Sequence, residues 1–240
     1  MSPRSTSAVE CVLFDLDGTL LDHRSSASAA LAAAVPVWAG ADAVTHPDRL
    51  QHLWFGLEAE HMGAYLRGEC SFQEQRRRRM RVFLDALGQS GPEPELDGLF
   101  AVYLRAYERS WRPFADAEPC LRQLATRARL AVLSNGDPGQ QARKLQRIGL
   151  ADLFEQVLTP TETGCPKPSR AAFDRACAAM GVVNARCAYV GDDPKTDALA
   201  ASAAGLLGVW IDRTAPAGPV AQRVLRIGTL AALPAVIGHG

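Results

Sequence analysis

Two aspartates near the start of the chain have the residue type and spacing for acid–base or nucleophilic chemistry. Asp15 and Asp17 follow the apolar run 9–14, whose composition suits a strand buried on both faces. Side chains two residues apart point the same way from a strand, and Gly18 allows a sharp turn after them. Two adjacent carboxylates repel each other, which raises one pKa or calls for a cation between them. The pair predicts a nucleophile or metal ligand beside a proton donor, with a simple Asp-Gly turn as the alternative.

Two further strands are predicted to end in polar segments. The apolar run 129–133 leads to Ser134 and a polar loop before the predicted helix 138–148, and a hydroxyl with loop amides at a helix N-terminus can hold phosphate. The run 187–190 leads to the acidic segment 191–197. Because the carboxyl ends of parallel strands share one edge of a sheet, where ligands bind, these segments predict one acidic pocket with a phosphate seat.

Lysine is rare in this chain, and one lysine lies in a stiff loop. Of the 26 basic residues, three are lysines, at Lys144, Lys167 and Lys195. Lys167 stands between Pro166 and Pro168, which restrict the backbone, so its ammonium is expected to project from a rigid loop. This pattern predicts a functional cation, and a solvated loop lysine is the alternative.

The segments around Asp15, Ser134, Lys167 and Asp192, in this order, resemble the motifs of the haloacid dehalogenase-like superfamily of phosphohydrolases. The resemblance covers nearly the whole chain. It implies an α/β fold in which a Rossmann-like parallel sheet has helices on both faces and carries an inserted all-α cap domain, a helical bundle.

The insertion is predicted to lie between the first and second motifs. Residues 22–112 show helical patterns alone, whereas 1–21 and 113–240 carry the four motifs of the implied catalytic core. The four arginines 76–79 point round a whole helix, which predicts a solvated face with one or two inward arginines and not a nucleic-acid patch. The predicted cap helices span 25–38, 47–66, 72–87 and 94–110.

Outside the cap, the same patterns predict the remaining elements of the core. We expect helices at 119–127, 170–180 and 194–204, and a fifth strand at 208–211. Residues 215–219 form a turn-rich link, and 224–237 should close the core with a short strand and a helix.

The family resemblance implies a role for each acidic residue of the first motif. Asp15 would attack phosphorus and become an aspartyl phosphate, while Asp17 would protonate the leaving oxygen and afterwards activate water. Mg2+ would bind Asp15, the backbone carbonyl of Asp17, and Asp192. Asp192 is favoured over its neighbour Asp193 as the direct ligand.

The resemblance also implies how the phosphoryl oxygens are held. Ser134 and Asn135, with nearby loop amides, and Lys167 would bind them. Either Asp193 or Asp197 would orient the waters of the metal or the side chain of Lys167, and the sequence leaves that choice open.

The implied function is Mg2+-dependent hydrolysis of small phosphorylated metabolites, such as nucleotides, sugar phosphates or phosphoglycolate-like monoesters. A phosphomutase of the same fold shares these motifs, and a non-catalytic phosphometabolite-binding protein is an alternative from another class. A dehalogenase of this fold would lack the carboxylate of Asp17. A phosphonate hydrolase of the superfamily uses a cap lysine, and residues 22–113 contain no lysine.

Composition favours a cytoplasmic enzyme. The 240 residues carry 26 basic and 26 acidic side chains, so no bulk charge favours nucleic acid or an anionic membrane. The six cysteines form no CxxC pair and are expected to be reduced core residues, and the polar segment 1–8 has no signal core. We expect a monomer or homodimer that binds a small phosphorylated substrate.

Overall fold

Two units make up the computed structural model. One comprises Met1–Asp22 with Arg112–Gly240, and the other comprises His23–Trp111. No helix in the part of the chain that the structure describes is long and apolar enough to cross a membrane. The structure describes residues 8–40, 46–89, 91–214, 218–221 and 224–238.

A seven-stranded sheet organises the first unit. The strand order is β3-β2-β1-β4-β5-β7-β6, and every neighbouring pair is parallel except β6 with β7. The sheet, with helices packed around it, is the Rossmann-like α/β architecture that the sequence predicted. The strands are β1 (Cys11–Phe14), β2 (Arg129–Leu133), β3 (Gln156–Leu158), β4 (Cys187–Gly191), β5 (Leu207–Ile211), β6 (Gly218–Ala221) and β7 (Val224–Ile227).

The central position of β1 brings the polar strand ends together. Phe14, the last residue of β1, lies opposite Val132 of β2 and Val190 of β4. The ladder continues one residue further, because the N–H of Asp15 donates to the carbonyl of Val190 at 2.8 Å. All four residues of β1 are buried, as a strand covered on both faces requires. Asp15 therefore begins where three adjacent parallel strands end, which is the ligand-binding edge of such a sheet.

The described part of the second unit contains four α-helices. An aromatic cluster fills its interior around the fully buried Trp54. The ring centroids of Phe83 and Tyr103 lie 5.0 and 4.5 Å from that of Trp54, within the range of favourable aromatic pairs. The helices are α1 (His23–Ala39), α2 (Pro47–Leu66), α3 (Phe72–Ala86) and α4 (Leu96–Ser110), with α1 packed on α4 and α2 packed on α3.

The arginine run on α3 has one buried member. Arg79 is 3% exposed, its guanidinium lies 4.6 Å from the centre of the Trp54 ring, and it pairs with Glu58 at 3.1 Å. The three arginines 76–78 are half-buried. The predicted inward arginine is confirmed, whereas the other three are half-buried where a solvated face was predicted.

Among the residues that the structure describes, the first unit also contains six α-helices. The second of these helices follows β2 and begins at Pro138, which suits the first turn of a helix. Asp137 caps it, because the carboxylate accepts the N–H of Gln140 at 2.8 Å. The helices are α5 (Ala117–Ala125), α6 (Pro138–Arg147), α7 (Pro160–Thr163), α8 (Arg170–Ala179), α9 (Ala200–Ala204) and α10 (Leu233–Gly238).

Several predicted elements need correction. The segment expected to be one helix, 194–204, is a π-helix at Pro194–Leu199 followed by α9, because Asp193 caps it locally and the wider turn carries Asp197 inward. Strand β3 was not predicted, because three residues give too short a pattern. In the link 215–219, Pro219 belongs to β6, while 215–217 lie outside the described residues. Residues 1–7 of the polar N-terminal segment also lie outside them.

The boundaries of other elements shift by a few residues. Helix α5 begins and ends two residues before its predicted limits, and α4 is preceded by a separate 3-10 turn at Glu93–Glu95. Four of the six cysteines are buried, as predicted for core residues, whereas Cys70 and Cys165 are half-buried, so the prediction is wrong for these two.

Candidate active site

Lys167 is the centre of a buried hydrogen-bond network at the carboxyl edge of the sheet. Its Nζ lies 2.7 Å from Asp15 Oδ1 and 2.7 Å from Asp197 Oδ1. The hydroxyl of Tyr189 lies 2.5 Å from the same nitrogen and donates to the carbonyl of Leu133 at 2.9 Å. Lys167 is 3% exposed, so this lysine is not a solvated loop cation.

The loop that carries Lys167 is attached to the end of β2 by Asn135. The side-chain Nδ2 of Asn135 donates to the carbonyl of Lys167 at 2.9 Å, and its Oδ1 accepts the N–H of Lys167 at 2.8 Å. This reciprocal pair fixes the backbone from which the ammonium projects. The side chain of Asn135 therefore positions Lys167, and the structure shows it engaged by that backbone.

Three carboxylates form an acidic cluster, defined here as Asp15, Asp192 and Asp197. One oxygen from each lies within 4.8 Å of the others. Two glycines make this approach possible. A Cβ at Gly18, which has φ +86°, would overlap the carboxylate of Asp192, and a Cβ at Gly191 would overlap that of Asp197. The turn predicted from Gly18 thus also makes room for Asp192 of the fourth motif.

The carboxylate of Asp17 contacts different partners, on α6. Lys144 Nζ lies 2.6 Å from Asp17 Oδ1 and 2.7 Å from Asp17 Oδ2. Gln141 Nε2 donates to Asp17 Oδ2 at 3.0 Å and to Ser134 Oγ at 2.6 Å. Because Gln141 and Lys144 are three residues apart, they share one face of the helix.

Ser134 and Asp193 lie at the edges of this arrangement. The buried hydroxyl of Ser134 also accepts the N–H of Gly136 at 3.2 Å. Asp193 caps the π-helix, where Oδ1 accepts the N–H of Lys195 at 2.9 Å and that of Thr196 at 2.6 Å. The two aspartates that the sequence left as alternatives are therefore different. Asp193 shapes the turn, and Asp197 contacts Lys167.

The structure thus brings most of the predicted residues together. Asp15, Lys167, Asp192 and Asp197 form one group, while Asp17 and Ser134 are linked through Gln141. Sequence reasoning missed Gln141, Lys144 and Tyr189. The scarcity of lysine was a signal for Lys144, and its spacing from Gln141 was a second one. Tyr189 gave no signal, because an aromatic residue in a buried strand is ordinary.

A family model, haloacid dehalogenase-like hydrolase, matches residues 9–205 of the chain. That range contains every residue of the site just described. The chain belongs to this family of hydrolases.

Similar proteins within the family include a phosphatase. The phosphoserine phosphatase of Thermus thermophilus is 34% identical over 197 residues, which is 81% of this chain and 76% of the relative. The similarity identifies the chain as a phosphoric monoester hydrolase of the haloacid dehalogenase-like family.

Solved structures of the family share the fold. The magnesium-bound putative hydrolase YfnB of Bacillus subtilis aligns with a TM-score of 0.81 at 19% identity, covering 96% of this chain and 99% of the other. A 2-haloacid dehalogenase of Pseudomonas syringae pv. Tomato aligns with a TM-score of 0.67 at 28% identity, covering 96% and 99%.

Charge in the acidic cluster is out of balance. Burial raises the pKa of Asp15 well above its usual value against the opposing attraction of Lys167, and the neighbouring carboxylates raise it further. Burial and the charge of Asp197 raise the pKa of Asp192 to about 6. Burial alone would lower the pKa of Lys167, but Asp15 and Asp197 raise it above its usual value.

Burial and mutual repulsion of the carboxylates both contribute to these shifts. The acidic cluster places three carboxylates near one ammonium, with Asp15 and Asp197 buried and Asp192 exposed. A dication bound among the oxygens would neutralise the surplus negative charge. An all-oxygen donor set is the type that Mg2+ prefers, so the residues present fit that metal.

Proposed function

We propose that this phosphatase hydrolyses small phosphorylated metabolites through an aspartyl phosphate on Asp15, with Mg2+ as its cofactor. The contact of Lys167 with both Asp15 and Asp197 carries the proposal. It places a cation against the attacking oxygen and within reach of the phosphoryl group that the oxygen would meet. The relative that acts on phosphoserine adds phosphorylated amino acids to the candidate substrates, beside nucleotides, sugar phosphates and phosphoglycolate-like monoesters.

Asp15 is proposed as the nucleophile. A carboxylate oxygen forms a bond to phosphorus, the bond from phosphorus to the ester oxygen breaks, and Asp17 gives that oxygen its proton. Water then attacks the phosphorus of the aspartyl phosphate while Asp17 accepts a proton from it. Phosphate leaves and Asp15 is regenerated. Lys167 keeps the attacking carboxylate oriented and lowers the repulsion between it and the phosphoryl oxygens.

The remaining residues bind and orient. Ser134 and Lys167 hold phosphoryl oxygens with the backbone amides that follow Ser134, where the loop enters α6. Asn135 contributes a backbone amide there, since its side chain holds the Lys167 loop. Asp197 orients Lys167, and Asp193 shapes the loop that presents Asp192.

Mg2+ is proposed to be held by Asp15, Asp192 and the backbone carbonyl of Asp17. When bound, it neutralises charge on the transferring phosphoryl group and on the acidic cluster. Residues 22–112 are proposed as a cap domain and the remainder as the catalytic core.

Two other activities differ from this proposal in their requirements. A dehalogenase needs no second carboxylate, and Asp17 is present here and paired with Lys144. A phosphomutase would need a bisphosphate to phosphorylate Asp15 and would return the phosphoryl group to a substrate. Phosphate release without any bisphosphate separates a hydrolase from a mutase.

The test is phosphate release from a panel of phosphorylated metabolites. The panel includes phosphoserine, nucleoside monophosphates, sugar phosphates and phosphoglycolate, each with Mg2+ and after treatment with EDTA. We expect turnover of at least one substrate with Mg2+, loss of turnover in EDTA, and recovery when Mg2+ is restored. Full activity after exhaustive EDTA dialysis would contradict the metal proposal, and turnover that requires a bisphosphate would favour the mutase.

A further inference from the structure

Lys144 has contacts that the proposed mechanism does not yet use. Its ammonium is bonded to both oxygens of Asp17, at 2.6 and 2.7 Å, and the residue is 4% exposed. It comes from α6, 127 positions away along the chain. Burial of the ammonium costs desolvation, and the Asp17 side chain that compensates it remains 27% exposed, so packing alone would be served by an apolar residue here.

The choice of residue type also points to a specific role. Arginine supplies 23 of the 26 basic residues, and Arg143 and Arg147 on the same helix are exposed. A guanidinium would bind a carboxylate side by side through a broad planar fork. The compact ammonium of Lys144 instead lies between the two oxygens of one carboxylate, in a space closed by neighbouring side chains.

Gln141 holds the same carboxylate from a second direction. Its Nε2 donates to Asp17 and to Ser134, whereas its Oε1 is buried and has no hydrogen-bond partner among the described residues. The two acceptors therefore determine how the amide is turned. Gly136 lacks a Cβ that would overlap this amide, so the chain leaves room for it.

Together these contacts define the direction of the Asp17 carboxylate. A general acid must present one oxygen to the leaving group within hydrogen-bond distance, and a misplacement of about 1 Å can cost roughly 100-fold in rate. Bonds to both Asp17 oxygens restrict rotation of the carboxylate about its own axis. Gln141 also donates to Ser134, so the orientation of the Asp17 carboxylate is coupled to the hydroxyl proposed to bind phosphate.

We infer that Lys144 is a positioning residue that, with Gln141, orients the carboxylate of Asp17 for proton transfer to and from the reacting oxygens. The inference rests on the proposed function and extends it to α6. It predicts that loss of Lys144 slows cleavage of a substrate whose leaving group needs a proton. Cleavage of a substrate whose leaving group needs none should be affected little.

The test compares leaving groups in Lys144→Met and in Lys144→Arg. With an alkyl phosphate, whose leaving oxygen needs a proton, we expect kcat/KM of Lys144→Met to fall by about 10- to 100-fold. With an activated aryl phosphate we expect kcat/KM to fall by less than about 5-fold, because the phenolate leaves without help and kcat/KM does not include hydrolysis of the aspartyl phosphate. Lys144→Arg keeps the charge and should recover part of the alkyl activity.

A double-mutant cycle with Asp17→Asn separates positioning from direct action on substrate. If Lys144 acts through Asp17, adding Lys144→Met to Asp17→Asn should lower kcat/KM for the alkyl phosphate by less than about 3-fold. Arg147→Met is the matched control, since it removes an exposed cation one turn further along α6. Its kcat/KM should equal that of the wild type with both substrates.

Several results would overturn the inference. They are wild-type kcat/KM in Lys144→Met, equal losses on alkyl and aryl phosphates in a folded variant, or fully additive losses with Asp17→Asn. Circular dichroism and the melting temperature establish folding. If Lys144→Met does not fold, Lys144→Gln takes its place, because its amide retains a donor at this buried position. A wild-type protein that releases no phosphate from any substrate would instead contradict the proposed function itself.

Discussion

The two buried lysines of the site, Lys167 and Lys144, have different charged surroundings. Lys167 contacts two members of the acidic cluster, Asp15 and Asp197, and the third carboxylate lies beside them. Lys144 is bonded to both oxygens of the Asp17 carboxylate. Under the proposed function, the first arrangement suits a metal-assisted attack on phosphorus. The second suits orientation of the Asp17 carboxylate.

This difference supports the separate roles proposed for the two aspartates of the first motif. They are two residues apart and leave the same strand end, yet Asp15 lies with Lys167 and Asp17 lies with Lys144. Proximity in the chain alone does not distinguish a nucleophile from a proton donor. The partner that each carboxylate finds in the fold does.

The largest effect is expected from Asp15→Asn. The substitution keeps the shape of the side chain but removes the charge that attacks phosphorus, so kcat should fall by about 1,000-fold or more. Steady-state phosphate release checks this, with circular dichroism as the control for folding. Retention of more than about a tenth of the wild-type kcat would show that Asp15 is not the nucleophile.

Asp17→Asn should have a smaller effect that depends on the leaving group. Loss of the proton donor should lower kcat/KM for an alkyl phosphate by roughly 100- to 10,000-fold, and for an activated aryl phosphate by much less. Parallel kinetics with the two substrates measure the ratio. Equal losses would count against Asp17 as the general acid and would remove the contrast between the two lysine sites.

Asp192→Ala tests the surplus charge of the acidic cluster. Removal of one carboxylate should weaken metal binding, so the Mg2+ concentration for half-maximal activity should rise by at least about 10-fold. A titration of activity with Mg2+ gives this concentration. Asp152→Ala serves as the control, because Asp152 is exposed in the 3-10 turn Ala151–Leu153 and is not a member of the acidic cluster. An unchanged titration would exclude Asp192 as a ligand.

The smallest effect is expected from Tyr189→Phe. Burial raises the pKa of the Tyr189 phenol well above its usual value, so the group keeps its proton and donates to the carbonyl of Leu133. Its removal takes away one hydrogen bond to that carbonyl and one to the ammonium of Lys167. We expect a loss of about 1–3 kcal/mol in the free energy of unfolding and a fall in kcat of less than about 10-fold.

Urea denaturation and steady-state kinetics measure the two quantities separately. The Lys144→Met variant should differ from Tyr189→Phe by showing a leaving-group effect, which Tyr189→Phe should lack. A leaving-group effect in Tyr189→Phe would mean that the two lysine sites act together and that their separation is wrong.

Much of the fold was predictable from the sequence. Strand β2 and helix α2 have the predicted limits, and β1, β4 and β5 differ from prediction by one or two residues. Apolar runs that end in polar residues and helical periodicity are local properties, so they can be recognised without the partner elements. Short or irregular elements such as β3 and the π-helix carry too little pattern for this.

The sequence by itself determined which residues could do chemistry and which edge of a parallel sheet they would share. Asp15, Lys167 and Asp192 follow from motif order and residue type. Partners between distant segments could not be predicted in this way, because they depend on strand order and on the face that each helix turns inward.

Tertiary structure alone decided which carboxylate each lysine contacts. It placed Lys144 on Asp17, turned Asn135 to the Lys167 backbone, and separated the capping Asp193 from the buried Asp197. The physical reason is that these are short polar contacts between segments far apart in the chain. Their geometry is set when the sheet and its helices pack, and periodicity in the sequence carries no record of it.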